Sequence, residues 1–85
     1  MISSDRAKAL AEEAVAALGD EFAMINDKII EVSGGWIFFY NSREFIETGN
    51  PVSALAGNGP IFVDRTGAVR HLPSALPWDE AIKRA

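Results

Sequence analysis

This 85-residue sequence has one histidine and no cysteine for acid–base or nucleophilic chemistry. His71 falls near the end of a predicted edge hairpin, and an enzyme would need a nucleophile, an acid–base partner or a metal beside it. Glu44 and Glu47 are three residues apart on a short predicted helix, a spacing that would suit a metal or an acid–base pair but that is usually solvated. We interpret all three as structural or surface residues and predict a non-enzymatic protein. A small hydrolase that uses carboxylates is the alternative with least support.

A glycine-rich segment, Gly57-Asn58-Gly59-Pro60, has the small residues of a phosphate-binding loop. It leads into a predicted strand instead of a helix and carries no lysine, so nucleotide binding is not indicated. We interpret Asn58 as a turn residue whose side chain caps the local backbone.

The composition is that of one small globular domain spanning residues 1–85, with 48% hydrophobic and 24% charged residues. Twelve acidic against eight basic residues give a net charge of −4, which disfavours nucleic acid and anionic membranes and mildly favours a basic partner. The cysteine and histidine counts exclude a disulfide framework and the usual zinc sites, and we predict no metal or other cofactor. No stretch has the length of a membrane span and the first residues do not resemble a signal peptide, so we expect a cytoplasmic location.

Hydrophobic periodicity predicts the first half of the fold. Apolar residues recur at helical spacing from Ser4 to Leu18, which predicts an amphipathic helix. Residues Phe22 to Val32 are strand-like, with a turn or bulge expected at Asn26-Asp27-Lys28, so this segment is one bent strand or two. The tight connection Ser33-Gly34-Gly35 then leads into an aromatic strand, Trp36 to Asn41, to form an antiparallel hairpin.

Turn and cap residues predict the second half. Two short helices are expected at Arg43–Thr48 and Pro51–Ala56, followed by a hairpin of Ile61–Asp64 with Ala68–Leu72 and by a helix over Trp78–Ala85. This order of elements predicts an α+β domain. We expect a small antiparallel sheet of about four strands, with the N-terminal and C-terminal helices packed mainly on one face.

The aromatic strand is apolar on both sides. Trp36, Phe38 and Tyr40 should point to one face of the sheet, and Ile37 and Phe39 to the other. Roughly half of the aromatic side chains should fill the core, and the rest could form a recognition patch. A fully buried aromatic core is an equal alternative, whereas exposed Tyr and Trp beside acidic residues would suit protein binding.

Two segments carry a resemblance to a known family. They are Gly35-Trp36-Ile37-Phe38-Phe39-Tyr40-Asn41-Ser42 and the stretch from Leu55 through Gly57-Asn58-Gly59-Pro60 to Gly67. Over roughly Phe22 to Ile82 the sequence resembles the immunity protein 35 family, which includes the YrhB-like proteins. The resemblance implies a small bacterial domain that neutralises a toxin used between competing bacteria by binding it, without turnover. Some relatives instead look like heat-stable, chaperone-like proteins, so a chaperone-like stress protein is the alternative.

We therefore predict an immunity protein that binds a cognate protein toxin through an acidic and aromatic face. Charge complementarity would suit a basic toxin. We expect no nucleic-acid or membrane partner, and either a monomer or a homodimer. The residues expected on the partner-binding face are Trp36, Tyr40, Glu44, Glu47, Asn58 and Asp64.

Overall fold

A computed structural model describes residues 1–53, 59–73 and 76–83 of the chain. These residues form an open sheet of four antiparallel strands in chain order, with an N-terminal and a C-terminal helix. The predicted α+β class is confirmed. The elements are α1 (Ser4–Leu18), β1 (Phe22–Val32), β2 (Gly35–Ser42), α2 (Arg43–Thr48), a 3₁₀ helix (Pro51–Ser53), β3 (Ile61–Asp64), β4 (Val69–His71) and α3 (Trp78–Lys83).

Helix α1 spans the residues that the sequence predicts. The side-chain oxygen of Ser3 caps its start and accepts a hydrogen bond from the backbone N–H of Arg6 at 3.1 Å. Gly19 follows the last helical residue, and its N–H donates to the carbonyl of Ala16. Ala7 and Ala11 are fully buried against the sheet. Because alanine is small, the helix backbone can lie close to the strands.

Strands β1 and β2 form the predicted hairpin, and β1 is one strand with an irregular centre. Met24 pairs with Tyr40 and Ile29 pairs with Phe38, so residues 25–28 lie opposite the single residue Phe39. The bulge expected around Asn26-Asp27-Lys28 is therefore confirmed. It restores the alternation of side chains, so that Met24 and Ile29 point to the same face of the sheet.

That face, here called the α1 face, holds the larger part of the core. Trp36 and Phe38 of β2 and Ile61 and Val63 of β3 pack there against α1. The register pairs Trp36 with Val63 and Phe38 with Ile61, which places the four side chains in adjacent rows.

The C-terminal helix lies on the opposite face, here called the α3 face. Ala81 of α3 packs in a second buried cluster with Ile37, Phe62 and Leu72. The expectation that both terminal helices pack mainly on one face is therefore corrected. The physical reason is the alternation along β2 and β3, since Ile37 and Phe62 point away from α1 and need a cover of their own.

The predicted second hairpin is confirmed as β3 and β4, which pair through Ile61–His71, Phe62–Arg70 and Val63–Val69. Strand β3 also pairs with β2, and Gly35 makes the closest approach. Its φ is +155°, and a β-carbon at this position would overlap the backbone carbonyl of Val63. Only glycine allows β2 to begin at this distance from β3.

Both predicted short helices begin where the caps indicate. Helix α2 is capped by Ser42 and closed by Gly49 in the left-handed conformation. The second begins as the 3₁₀ helix at Pro51, and its predicted continuation to Ala56 lies outside the described residues. Within residues 1–53, 59–73 and 76–83, no helix combines the length and apolar character needed to cross a membrane.

Candidate functional site

The predicted partner-binding residues do not form one surface. Asp64 pairs with Gly35 at the start of β2, whereas Tyr40 lies five residues further along that strand, a distance of about 17 Å. Glu44 and Glu47 follow on α2, at the Tyr40 end. The structure therefore groups Tyr40 with the two glutamates and separates Asp64 from them.

Trp36 belongs to the core. Only 3% of its surface is exposed, and it packs between α1 and the guanidinium group of Arg65. It is one of the residues that line an open cavity of about 280 Å³ between α1 and β1, together with Ser4 and Ile29. A side chain so completely covered offers a partner almost no contact area, so the expectation that Trp36 is a partner contact is corrected.

Asp64 holds the β3–β4 turn together. Its Oδ1 atom accepts hydrogen bonds from the backbone N–H groups of Thr66 and Ala68 at 2.9 and 3.0 Å, and from the Thr66 hydroxyl at 2.6 Å. These bonds lower the pKa of the Asp64 carboxyl below its ordinary value, and the bond from the Thr66 hydroxyl contributes most to the lowering. The hydrogen bonds of its side chain give Asp64 a structural role in the turn. Asn58 lies outside the described residues.

Tyr40 is half-buried at the end of β2, on the α1 face. Its ring meets that of Phe22 edge to face, with the ring centroids 6.3 Å apart and the planes at 84°. This contact fixes the ring next to the point where Phe22 pairs with Ser42 and where α2 begins. Tyr40 therefore presents part of a rigid aromatic side chain beside α2.

Glu44 and Glu47 are exposed on α2, and two further acidic residues lie beside them. The backbone N–H of Arg43 donates to the carbonyl of Glu21 at 2.8 Å, and its Nε donates to the carbonyl of Asp20 at 2.6 Å. These bonds join α2 to the turn between α1 and β1, where both acidic side chains are exposed. We call the exposed carboxylates of Asp20, Glu21, Glu44 and Glu47 the acidic end.

The acidic end carries an excess of negative charge. Helix α1 ends here, so its partial negative charge adds to the carboxylates, and no basic residue lies in its last turn. Arg43 is the nearby cation, and its Nε donates to the carbonyl of Asp20, so its positive charge lies at this end and offsets part of the negative charge. The negative charge that Arg43 does not balance favours the approach of a further cationic group.

Sequence reasoning missed Asp20 and Glu21. As charged residues after a helix-ending glycine, they have the composition of an ordinary solvated turn. The signal that could have found them is the antiparallel hairpin itself. Pairing Phe22 with Ser42 necessarily brings the residues before β1 next to those after β2.

The remaining candidates for chemistry are scattered. His71 is exposed on β4, at the sheet edge opposite to β1. In the part of the chain that the structure describes, no three His, Asp or Glu residues come close enough to hold a metal ion. Near the acidic end, an open cavity of about 220 Å³ lies between α1 and β1, lined in part by Glu12, Phe22 and Arg43.

Comparisons with known proteins place these features in a family context. A family model described as immunity protein 35 matches residues 5–84. "Uncharacterized protein YrhB" of Escherichia coli (strain K12) is 40% identical over 52 residues, which cover 60% of this chain and 55% of that protein. The chain thus matches a little over half the length of this curated relative. No solved structure matches.

Proposed function

Because the chain belongs to the immunity protein 35 family, we propose that it protects a bacterial cell by binding a cognate protein toxin and blocking it, without chemical turnover. Family membership supports an immunity role in general. Direct binding, the surface used and the properties of the toxin are parts of this proposal.

The acidic end is the observation that supports the proposal most. It brings together two segments that carry four exposed carboxylates, α2 and the turn at the end of α1, at the end of β2 where Tyr40 packs on Phe22. Four carboxylates beside the guanidinium of Arg43 leave an excess of negative charge, which would attract a cationic partner. We therefore propose that Tyr40, Glu44 and Glu47 contact the toxin, together with Asp20 and Glu21.

A basic toxin surface is the matching partner. The net charge of −4 attracts such a surface at long range, and the acidic end would orient it during approach. Steering of this kind raises the association rate at low ionic strength and weakens as salt screens the charges. We place the encounter in the cytoplasm, with the immunity protein acting as a monomer or homodimer.

The arrangement of the titratable side chains favours binding over catalysis. Glu44 and Glu47 are exposed to water on α2, and His71 is exposed at a sheet edge. General acid–base catalysis depends on groups held together around a substrate, usually where burial or a neighbouring charge adjusts their pKa values. Glu44 and Glu47 lie together on α2, which follows β2, whereas His71 lies on the edge strand β4 and is separated from both.

Co-expression with the toxin candidate encoded beside the gene tests the proposal. We expect survival of the cells and co-purification of a complex with the wild-type chain. The toxin must first be shown to be active on its own. If the cells then die and no complex forms, immunity by binding is overturned for that pair. Protection of unrelated aggregating proteins in the same preparation would instead support the chaperone-like alternative.

A further inference from the structure

Two aliphatic side chains stand exposed next to the carboxylates of α2. Ile46 of α2 is 41% exposed, and Val52 of the following 3₁₀ helix is 88% exposed. Glu44 and Glu47 are exposed on the same short segment. Singly exposed aliphatic residues are common on protein surfaces, so their exposure alone does not mark a site, and what distinguishes this pair is the segment that carries them.

The helical geometry of α2 puts apolar and acidic groups side by side. Phe45 is half-buried and faces inward. At about 100° per residue, Ile46 lies on one flank of the helix and Glu44 on the other, while Glu47 lies on the outer side between them. Arg43 is three residues before Ile46 and lies on the same side of the helix, so the segment presents an aliphatic group among charged residues of which two of three are acidic.

Local hydrogen bonds hold this segment in shape. The Ser42 hydroxyl accepts from the N–H of Phe45 at 3.0 Å, and the Thr48 hydroxyl donates to the carbonyl of Glu44 at 2.6 Å. The N–H of Asn50 donates to the Thr48 hydroxyl, and the N–H of Val52 donates to the Asn50 side chain, each at 3.1 Å. A preformed segment loses little conformational freedom when it binds, which leaves more of the contact energy for affinity.

We propose that Ile46 and Val52 are the apolar anchors with which this protein binds its toxin. The matching toxin surface is an apolar pocket rimmed by lysine or arginine side chains, which receives the aliphatic groups and pairs with Glu44 and Glu47. This inference rests on the proposed function and adds to it the two residues that supply buried apolar area. Interfaces commonly combine a desolvated apolar centre with a charged rim in this way.

The charge around the anchors selects a foreign protein over a second copy of this chain. In a symmetric homodimer formed through this segment, the same patch meets itself. The segment carries two carboxylates against the one guanidinium of Arg43, so the net negative charge of one copy would face that of the other. Like charges brought together at a contact oppose association, whereas a lysine- or arginine-rimmed pocket favours it.

The test measures the dissociation constant between the purified protein and the toxin encoded beside its gene, for the variants Ile46→Ala and Val52→Ala. We expect each truncation to weaken binding about tenfold or more. The matched control is Ile29→Ala, because Ile29 is 38% exposed but lies on β1, away from α2. It should bind like the wild type.

Thermal unfolding verifies that the variants remain folded, and the high exposure of Val52 makes its truncation harmless to the core. If Ile46→Ala and Val52→Ala both bind as tightly as Ile29→Ala, the two anchors are wrong while toxin binding stands. If the wild type itself forms no complex with an active toxin, the proposed function fails and the anchors fail with it.

Discussion

The guanidinium carbon of Arg65 lies 4.3 Å from the centroid of the Trp36 ring. From this position Arg65 also pairs with Glu31 at 3.1 Å and donates to the carbonyl of Val32 at 2.8 Å. Its own carbonyl accepts from the N–H of Ile2 at 2.9 Å. One residue after β3 thus ties together the β1–β2 hairpin, the core tryptophan and the chain entering α1.

We predict that Arg65→Lys destabilises the protein by about 1–3 kcal/mol. Lysine keeps the charge but cannot stack a planar group on Trp36 while also bonding to Glu31 and to the Val32 carbonyl. Urea unfolding monitored by tryptophan fluorescence measures the change. Arg70→Lys is the control, since Arg70 is exposed on β4. Equal stabilities of the two variants would contradict this role of Arg65.

Substitution by alanine should have very different effects on stability at the two glycines of the β1–β2 turn. We expect Gly35→Ala to cost about 3 kcal/mol or more, because its β-carbon would overlap the carbonyl of Val63 and force β2 and β3 apart. Gly34→Ala is the control. A β-carbon there meets its nearest atom, in the ring of Phe62, at an ordinary 3.7 Å. Calorimetric unfolding measures the stability of both variants. A folded Gly35→Ala variant with wild-type stability would refute the close approach of β2 and β3.

We predict that the hydrogen bonds of Asp64 make the stability of the fold depend on pH in the acid range. Hydrogen bonds from Thr66 and Ala68 lower the pKa of Asp64 in the folded state from an ordinary value of 3.8. The stabilisation is therefore complete above that value and is lost as the pH falls through the lower folded-state pKa. Asp64→Asn should be less stable than the wild type at neutral pH, and the difference should shrink in strong acid.

Urea unfolding of the wild type and Asp64→Asn at several pH values between neutrality and strong acid measures this convergence. Asp27→Asn, an exposed substitution in the β1 bulge, controls for the general effect of removing a negative charge. A stability difference between wild type and Asp64→Asn that stays constant down to the lowest pH would rule out the carboxylate hydrogen bonds as its source.

The acidic end should control how fast the toxin binds. Replacing both Glu44 and Glu47 by glutamine removes two of its charges, and we expect a several-fold slower association at low salt. The difference from the wild type should fade at high ionic strength because salt screens the attraction. Stopped-flow kinetics provide the rates. Asp79→Asn, on α3 across the sheet, reduces only the overall negative charge and should slow association less, and an association rate independent of salt would contradict steering.

Local sequence patterns were sufficient to predict most of the fold. Helical spacing and the Ser3 cap defined α1, and the Asn26-Asp27-Lys28 segment marked the bulge in β1. The side of the sheet taken by α3 could not be predicted in the same way. Alternation along β2 showed that both faces needed cover, but the connection from β4 leaves α3 free to reach either face.

The candidate site was only partly predictable for a related reason. Tryptophan is common both in cores and at interfaces, so its type alone does not decide its place. Trp36 is buried because small residues of α1 approach it and Arg65 covers it, and both contacts depend on tertiary packing. Asp20 and Glu21 joined the site only through the pairing of Phe22 with Ser42.

The most direct test of the central claim is survival of cells that produce the toxin together with one of three immunity proteins: the wild type, Glu44→Lys/Glu47→Lys, or Asp79→Lys. If the protein neutralises its toxin through the acidic end, the wild type and Asp79→Lys rescue growth, and the double reversal, though folded, does not. Full rescue by the folded double reversal, or no rescue by the wild type, would contradict the account.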